Sequence, residues 1–196
     1  MRVVITGDSF VEGVGSSNGG WAQMLADRMR EVEVSIFGIG GHTTQDLMKR
    51  IAGEIDYETA VVIIGIGVND SRLRPSLEQN EVPVDQFGDN ITNIIRVVEE
   101  YGASCMVVGL ATVDEARTQP FKEDKIYQNK NIAIYNEVLR RKSYELSVSY
   151  VTAPSLADVQ GALADGLHPS DVGHRMILEV VEPVLQELLA SRAKKV

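Results

Sequence analysis

Residues 60–70 read Ala60-Val61-Val62-Ile63-Ile64-Gly65-Ile66-Gly67-Val68-Asn69-Asp70. Five consecutive apolar residues, four of them β-branched, run straight into two spaced glycines and an Asn-Asp pair. A strand wetted on one side alternates apolar and polar residues, so an unbroken run marks a strand covered on both faces. The run, even with its interrupted continuation to Val68, falls far short of the ~20 residues that cross a bilayer.

Outward from this run, short segments of the same kind recur at Arg2–Thr6, Glu33–Phe37, Ser104–Leu110 and Ser147–Val151. They alternate with segments of helical period at Gly20–Glu31, Thr44–Gly53, Val84–Tyr101, Lys125–Glu145 and Ser170–Ser191. The third helix shows the period well: Phe87, Ile91, Ile94, Ile95 and Val98 share one side, with Asp89, Asn90, Arg96 and Glu99 opposite. The last presents Val172, Met176, Val180, Val181, Val184, Leu185 and Leu188, with Ser170 or Asp171 as its cap. Pro183 inside it predicts a kink, because its ring crowds the preceding turn. Alternating strands and helices specify an α/β domain, a three-layer α/β/α sandwich on a five-stranded parallel sheet. Right-handed crossovers then bring the carboxyl ends of the strands to one edge, where ligands sit.

The 196 residues suit one domain, expected to span 1–196 with 191–196 as a frayed tail. A chain this long buries roughly 70% of its unfolded surface and needs no staple. The single Cys105 offers no intramolecular disulfide, and nothing resembles a zinc framework, so no metal is expected. A net charge of −9 argues against nucleic acid, whose phosphates are bound by Lys and Arg, and against an anionic membrane surface. The N-terminus enters Val3-Val4-Ile5 without the apolar core and cleavage site of a signal peptide, so a cytoplasmic location is the expectation. Nothing in the sequence sets an oligomeric state.

Four strand ends carry candidate chemistry. The first ends in Gly7-Asp8-Ser9-Phe10, which exposes a Ser at the sheet edge with a rigid support behind it. The glycines here match neither G-x-G-x-x-G nor a G-K-[ST] phosphate loop, and no G-x-S-x-G elbow occurs. The second ends in Gly38-Ile39-Gly40-Gly41-His42-Thr43-Thr44, where glycines let backbone N–H groups face a cleft and Thr43 or Thr44 caps the next helix. Asn69, after the third strand, offers a side-chain amide to a developing oxyanion. Near the C-terminus, Asp165 stands three residues ahead of His168 in a loop before a helix, a spacing that brings a carboxylate to the ring Nδ1–H and leaves Nε2 as a base. His174, inside the last helix, reads as structural, and His42 has the weaker chemical claim. A Ser, an Asp–His pair and several N–H donors are the parts of acyl transfer. The rival from another class is a non-catalytic α/β module that holds a small ligand.

These blocks resemble the SGNH hydrolase superfamily, the GDSL esterases and lipases, in order from Gly7 to His168. Gly7-Asp8-Ser9 matches its first block, Gly41 its second (with Gly40 as the fallback), Gly67-Val68-Asn69-Asp70 its third and Asp165 to His168 its fifth. Phe10 replaces the Leu of the GDSL name, and His42 stands where an acidic residue is frequent. The resemblance implies a flavodoxin-like fold and hydrolysis without a cofactor. It makes Ser9, His168 and Asp165 the catalytic triad, with Ser9, Gly41 and Asn69 as the oxyanion hole. Asp8, His42 and Asp70 are expected to line the substrate site. Ser71–Pro83 and Ala111–Asp124 are polar insertions without the apolar stripe of a long-chain lipase, which points to a small ester, short-chain or acetyl. Within the family, an acyl thioesterase and a lysophospholipase-like lipase are the alternatives. Arg72 and Arg74 read as solvated loop charges that could instead meet an anionic substrate.

Overall fold

A computed structural model describes residues 1–122 and 124–194. In chain order the strands are β1 (Arg2–Gly7), β2 (Glu33–Gly38), β3 (Thr59–Gly65), β4 (Leu73–Arg74), β5 (Gln79–Asn80), β6 (Ser104–Val108) and β7 (Ser149–Val151). The helices are α1 (Ser9–Glu12), α2 (Gly20–Arg28), α3 (Thr44–Arg50), α4 (Val84–Glu100), α5 (Glu115–Thr118), α6 (Asn129–Glu145) and α7 (Asp171–Ala193). Five strands form one parallel sheet in the order β2-β1-β3-β6-β7, while β4 and β5 make a separate antiparallel hairpin. The order reverses at β1, so the crevice beyond the carboxyl ends of β1 and β3 is where this kind of sheet binds ligands.

Period-two alternation splits the strands between two cores. Val4, Val62, Ile64 and Val107 pack with Leu47 of α3, Ile91 and Ile94 of α4 and Leu139 of α6. Val3, Ile5, Val61, Ile63 and Met106 pack on the other face with Trp21 and Leu25 of α2 and Leu178, Val181 and Leu185 of α7. The result is the expected α/β/α sandwich. No described helix is long and apolar enough to cross a membrane.

Gly7 lies in register with Gly38 on one side and Gly65 on the other. A Cβ on Gly7 would lie 1.9 Å from the Gly65 carbonyl oxygen, and one on Gly38 would lie 2.0 Å from the Glu12 nitrogen. These glycines let α1 settle onto the sheet edge at backbone contact. Arg50 donates from Nη2 to the Gly7 carbonyl at 2.7 Å, and the same oxygen accepts from the Ile39 nitrogen at 3.1 Å, so the last acceptor of β1 is doubly engaged.

Several boundaries differ from the pattern reading. β6 stops at Val108, not Leu110, and β7 begins at Ser149 because Ser147 turns with φ +55°. α6 begins at Asn129; Lys125 and Ile126 instead make bridges to Lys122 and Leu73. Asn90 is buried and donates to Thr44 Oγ1 at 2.9 Å rather than facing solvent. α7 is rotated from the expected face: Val172 is exposed, and Ile177, Leu178, Val181, Leu185 and Leu189 carry the core. It runs through Pro183 without interruption, and Ser170 caps it by accepting from the Val172 and Gly173 nitrogens. The expected frayed tail is helical up to Ala193, with Arg192 donating to the Ser104 hydroxyl and the Gly102 carbonyl. Residues 195–196 lie outside the described residues, as does Glu123 of the second polar insertion.

Candidate active site

Ser9 is the first residue of α1, and its side chain is almost wholly covered. The turn that presents it is set by Asp8, whose carboxylate caps α1 by accepting from the Phe10 nitrogen at 3.0 Å. Gly13, at φ +88°, ends the helix after one turn. Among the described residues, neither the Ser9 hydroxyl nor its backbone N–H has a protein hydrogen-bond partner.

His168 stands in the loop before α7. Its Nδ1 lies 2.7 Å from Asp165 Oδ2, while Asp165 Oδ1 accepts from the backbone nitrogens of Leu167 (3.0 Å) and His168 (2.8 Å). Partial burial works against ionisation of Asp165, but the His168 ring and these two N–H groups outweigh it and hold the carboxyl below its usual range. The aromatic rings of Phe10 and Phe121 stand 6.3 Å and 5.9 Å from the imidazole, centroid to centroid. From behind, the Asp114 nitrogen donates to the Gly166 carbonyl at 2.9 Å, and Arg117 Nη2 donates to the Ala164 carbonyl at 3.0 Å.

The loop after β2 separates its two candidate glycines. The Gly40 nitrogen is tied to Glu12 Oε2 at 2.6 Å. Gly41, at φ +82°, has open space around its Cα, and its N–H has no protein acceptor among the described residues. Thr43 caps α3, with the Asp46 carboxylate accepting from its nitrogen at 3.0 Å.

Asn69 is buried and held at both ends of its amide. Nδ2 donates to the His42 carbonyl at 3.0 Å, and Oδ1 accepts from Tyr127 Oη at 3.0 Å and Arg72 Nη1 at 3.3 Å. One Nδ2 hydrogen is left without a protein acceptor among the described residues.

Asp8 and Asp70, expected at the substrate surface, are both buried, and each serves the backbone. Asp70 accepts from the nitrogen and hydroxyl of Thr44 at the start of α3. Burial raises Asp8 to about 7 and Asp70 to about 6, against hydrogen bonds that pull the other way. His42 is half-buried, and its Nδ1 has no partner among the described residues; it shapes the site through its carbonyl. Arg72 and Arg74 are not solvated loop charges. Both bind Glu81, at 2.8 Å and 2.7 Å, and Arg74 also binds Asp124 at 2.9 Å. His174 is fully buried between the Trp21 nitrogen, which donates to Nδ1 at 3.2 Å, and the Val14 carbonyl 3.2 Å from Nε2. Among the described residues, no group of three or more His, Cys, Asp or Glu side chains could hold a metal ion.

Residues 5–176 match the GDSL-like Lipase/Acylhydrolase family. The chain belongs to that family. It is an ester-bond hydrolase of the GDSL type. It is similar to the isoamyl acetate-hydrolyzing esterase of Saccharomyces cerevisiae, at 25% identity over 82% of this chain and 74% of that protein. It is also similar to the human homologue of that esterase, at 23% identity over 97% of this chain and 83% of that one. An acetylxylan esterase from Geobacillus stearothermophilus shares the fold at a TM-score of 0.74 and 16% identity, covering 95% of this chain and 93% of that one.

For a GDSL hydrolase, the sequence motifs leave out the residues that hold the motif residues still. Glu12 pins the loop after β2, and Tyr127 and Arg72 grip Asn69. No spacing marks Tyr127, which is 58 positions from Asn69. Arg72 reads from the sequence as an exposed charge, but Glu81 and the segment before Tyr127 cover it.

Proposed function

We propose that this protein is a serine esterase for short-chain, chiefly acetyl, carboxylic esters of small or sugar-like alcohols. Ser9 is the nucleophile, His168 the base and Asp165 its orienting acid. The observation that carries the reading is the 2.7 Å Asp165–His168 pair, made by a carboxylate held ionised, which commits Nδ1 and leaves Nε2 for proton transfer.

Nε2 of His168 takes the Ser9 proton as Oγ attacks the acyl carbonyl, and Asp165 stabilises the imidazolium that forms. The negative charge on the former carbonyl oxygen is met by the N–H groups of Ser9 and Gly41 and by the unused Nδ2 hydrogen of Asn69. Among the described residues all three lack other partners, so they meet the new charge without first breaking a protein hydrogen bond. Gly40, the fallback donor, is already engaged with Glu12. Collapse of the intermediate passes the proton from Nε2 to the leaving alcohol, and water then enters by the same route to release the acid. The Ser9–His168 hydrogen bond is expected to close when substrate orders the site, as such bonds often do.

A small acyl group agrees with Ser71–Pro83 and Ala111–Asp124, polar insertions that carry no apolar stripe for a long tail. Relatives named for isoamyl acetate and acetylxylan hydrolysis agree with an acetyl ester. The test is hydrolysis of p-nitrophenyl acetate, butyrate and octanoate by wild type and Ser9→Ala, with fluorophosphonate labelling of each. Wild type should take the label and prefer acetate. Ser9→Ala should do neither; wild-type rates in that variant would end the assignment.

A further inference from the structure

We propose that Tyr127 and Arg72 are positioning residues that fix which end of the Asn69 amide faces the reaction. The inference rests on the reading of Asn69 as an oxyanion donor. An Asn amide is nearly symmetric in shape but opposite in polarity at its two ends, so a half-turn about its last bond would replace a donor with an acceptor. An acceptor oxygen aimed at a developing oxyanion repels the charge that the site must stabilise.

The surroundings of Asn69 decide the orientation. Its Oδ1 meets two donors, Tyr127 Oη at 3.0 Å and Arg72 Nη1 at 3.3 Å. A guanidinium has no acceptor, so in the flipped amide the Nδ2 hydrogens would face Arg72 donor to donor. The flip would also set Oδ1 against the His42 carbonyl, which now accepts from Nδ2 at 3.0 Å. Arg72 and the His42 carbonyl therefore select one orientation, and the Tyr127 hydroxyl, able to donate or accept, holds the amide in it.

Both gripping residues are themselves buried and held. Arg72 donates from Nε to Glu81 at 2.8 Å, Glu81 is shared with Arg74, and Arg74 is tied to Asp124. The Tyr127 ring meets Phe121 edge-on with centroids 5.7 Å apart. The cationic donor on Oδ1 also polarises the amide and makes the free N–H a stronger donor, since hydrogen bonds in a chain reinforce one another at low dielectric.

A double-mutant cycle on p-nitrophenyl acetate hydrolysis tests this, with wild type, Tyr127→Phe, Asn69→Ala and the double variant. Tyr127→Phe removes one hydroxyl and keeps the ring. It should lower kcat about 10-fold, a fraction of the ~10²–10³ expected for deletion of the donor itself, with KM little changed. In the Asn69→Ala background, the same change should alter kcat by less than ~2-fold, within ordinary additivity scatter. Arg72→Lys, which keeps the charge but loses the fork, should show the same dependence on Asn69 and supplies the answer if Tyr127→Phe does not fold. Equal losses in both backgrounds, or none in either, would overturn the positioning role while leaving Asn69 as a donor. Wild-type kcat in Asn69→Ala would remove the donor reading itself, and the proposal with it.

Discussion

Asp8→Asn should make the protein more stable at alkaline pH and not at acid pH. The Asp8 carboxyl is raised by burial from 3.8 to about 7 in the folded protein. Between those values the folded chain holds a proton that the unfolded chain has released, so each pH unit of rise removes about 1.4 kcal/mol of wild-type stability. Over the interval the loss approaches about 4 kcal/mol, reached near pH 7 and constant above it. Below pH 4 the carboxyl is neutral in both states and contributes nothing to the slope. Asn keeps an oxygen to cap α1 through the Phe10 nitrogen, 3.0 Å away, and cannot ionise. Any misfit of its NH₂ group against the neighbouring Gly67 backbone is the same at every pH. The readout is therefore the variant-minus-wild-type difference in urea unfolding free energy at pH 5, 6, 7 and 8. It should climb steeply to pH 7 and then level. A difference that is flat with pH, or that falls, would refute a neutral, buried Asp8.

Other outcomes follow from the same geometry. Gly7→Ala should yield no soluble folded enzyme, because its Cβ would sit 1.9 Å from a backbone oxygen that the sheet cannot move; a normal circular dichroism melt would contradict this. Asp165→Asn should fold normally and lose ~10⁴ in kcat, since the amide favours the wrong imidazole tautomer; a loss under tenfold in steady-state kinetics would show that the pair is not used. Burial lowers the proton affinity of His174, so the unfolded chain gains a proton below about pH 6.5 that the folded chain refuses, and wild-type stability falls as pH drops. His174→Gln should make that acid loss shallower in thermal melts from pH 7 to pH 5.

The sheet was legible in the sequence because β1, β3 and β6 are buried on both faces and write themselves as apolar runs. The exceptions have local causes. Ser147 is β-compatible by its neighbours but adopts φ +55°, and Lys125-Ile126 look helical only because α6 follows them. In α7 the buried face is centred on Ile177, Leu178 and Val181, so Val181 and Leu185 lie in the core as the period predicts, while Met176, Val180, Val184 and Leu188 fall at its margin and Val172 outside it. Within the site, the Ser9, Asn69 and Asp165–His168 blocks could be picked out by type and spacing. Their environments could not. A carboxylate in a loop reads as solvated, yet Asp8 and Asp70 are buried caps, and Arg72 reads as a free charge while Glu81 neutralises it. Those facts depend on partners distant in the chain, which no local pattern encodes.

The brace behind the acid–base loop has a practical consequence for redesign. Ala111–Asp124 is the segment we would exchange to test alcohol specificity, yet its Asp114 and Arg117 hold the Gly166 and Ala164 carbonyls that flank Asp165. A graft that replaced this segment wholesale would release the loop of the proposed base along with it. Libraries should therefore hold Asp114, Arg117 and the Gly166 turn constant and vary the residues around Phe121. Selectivity can then change without the proton-transfer geometry changing with it.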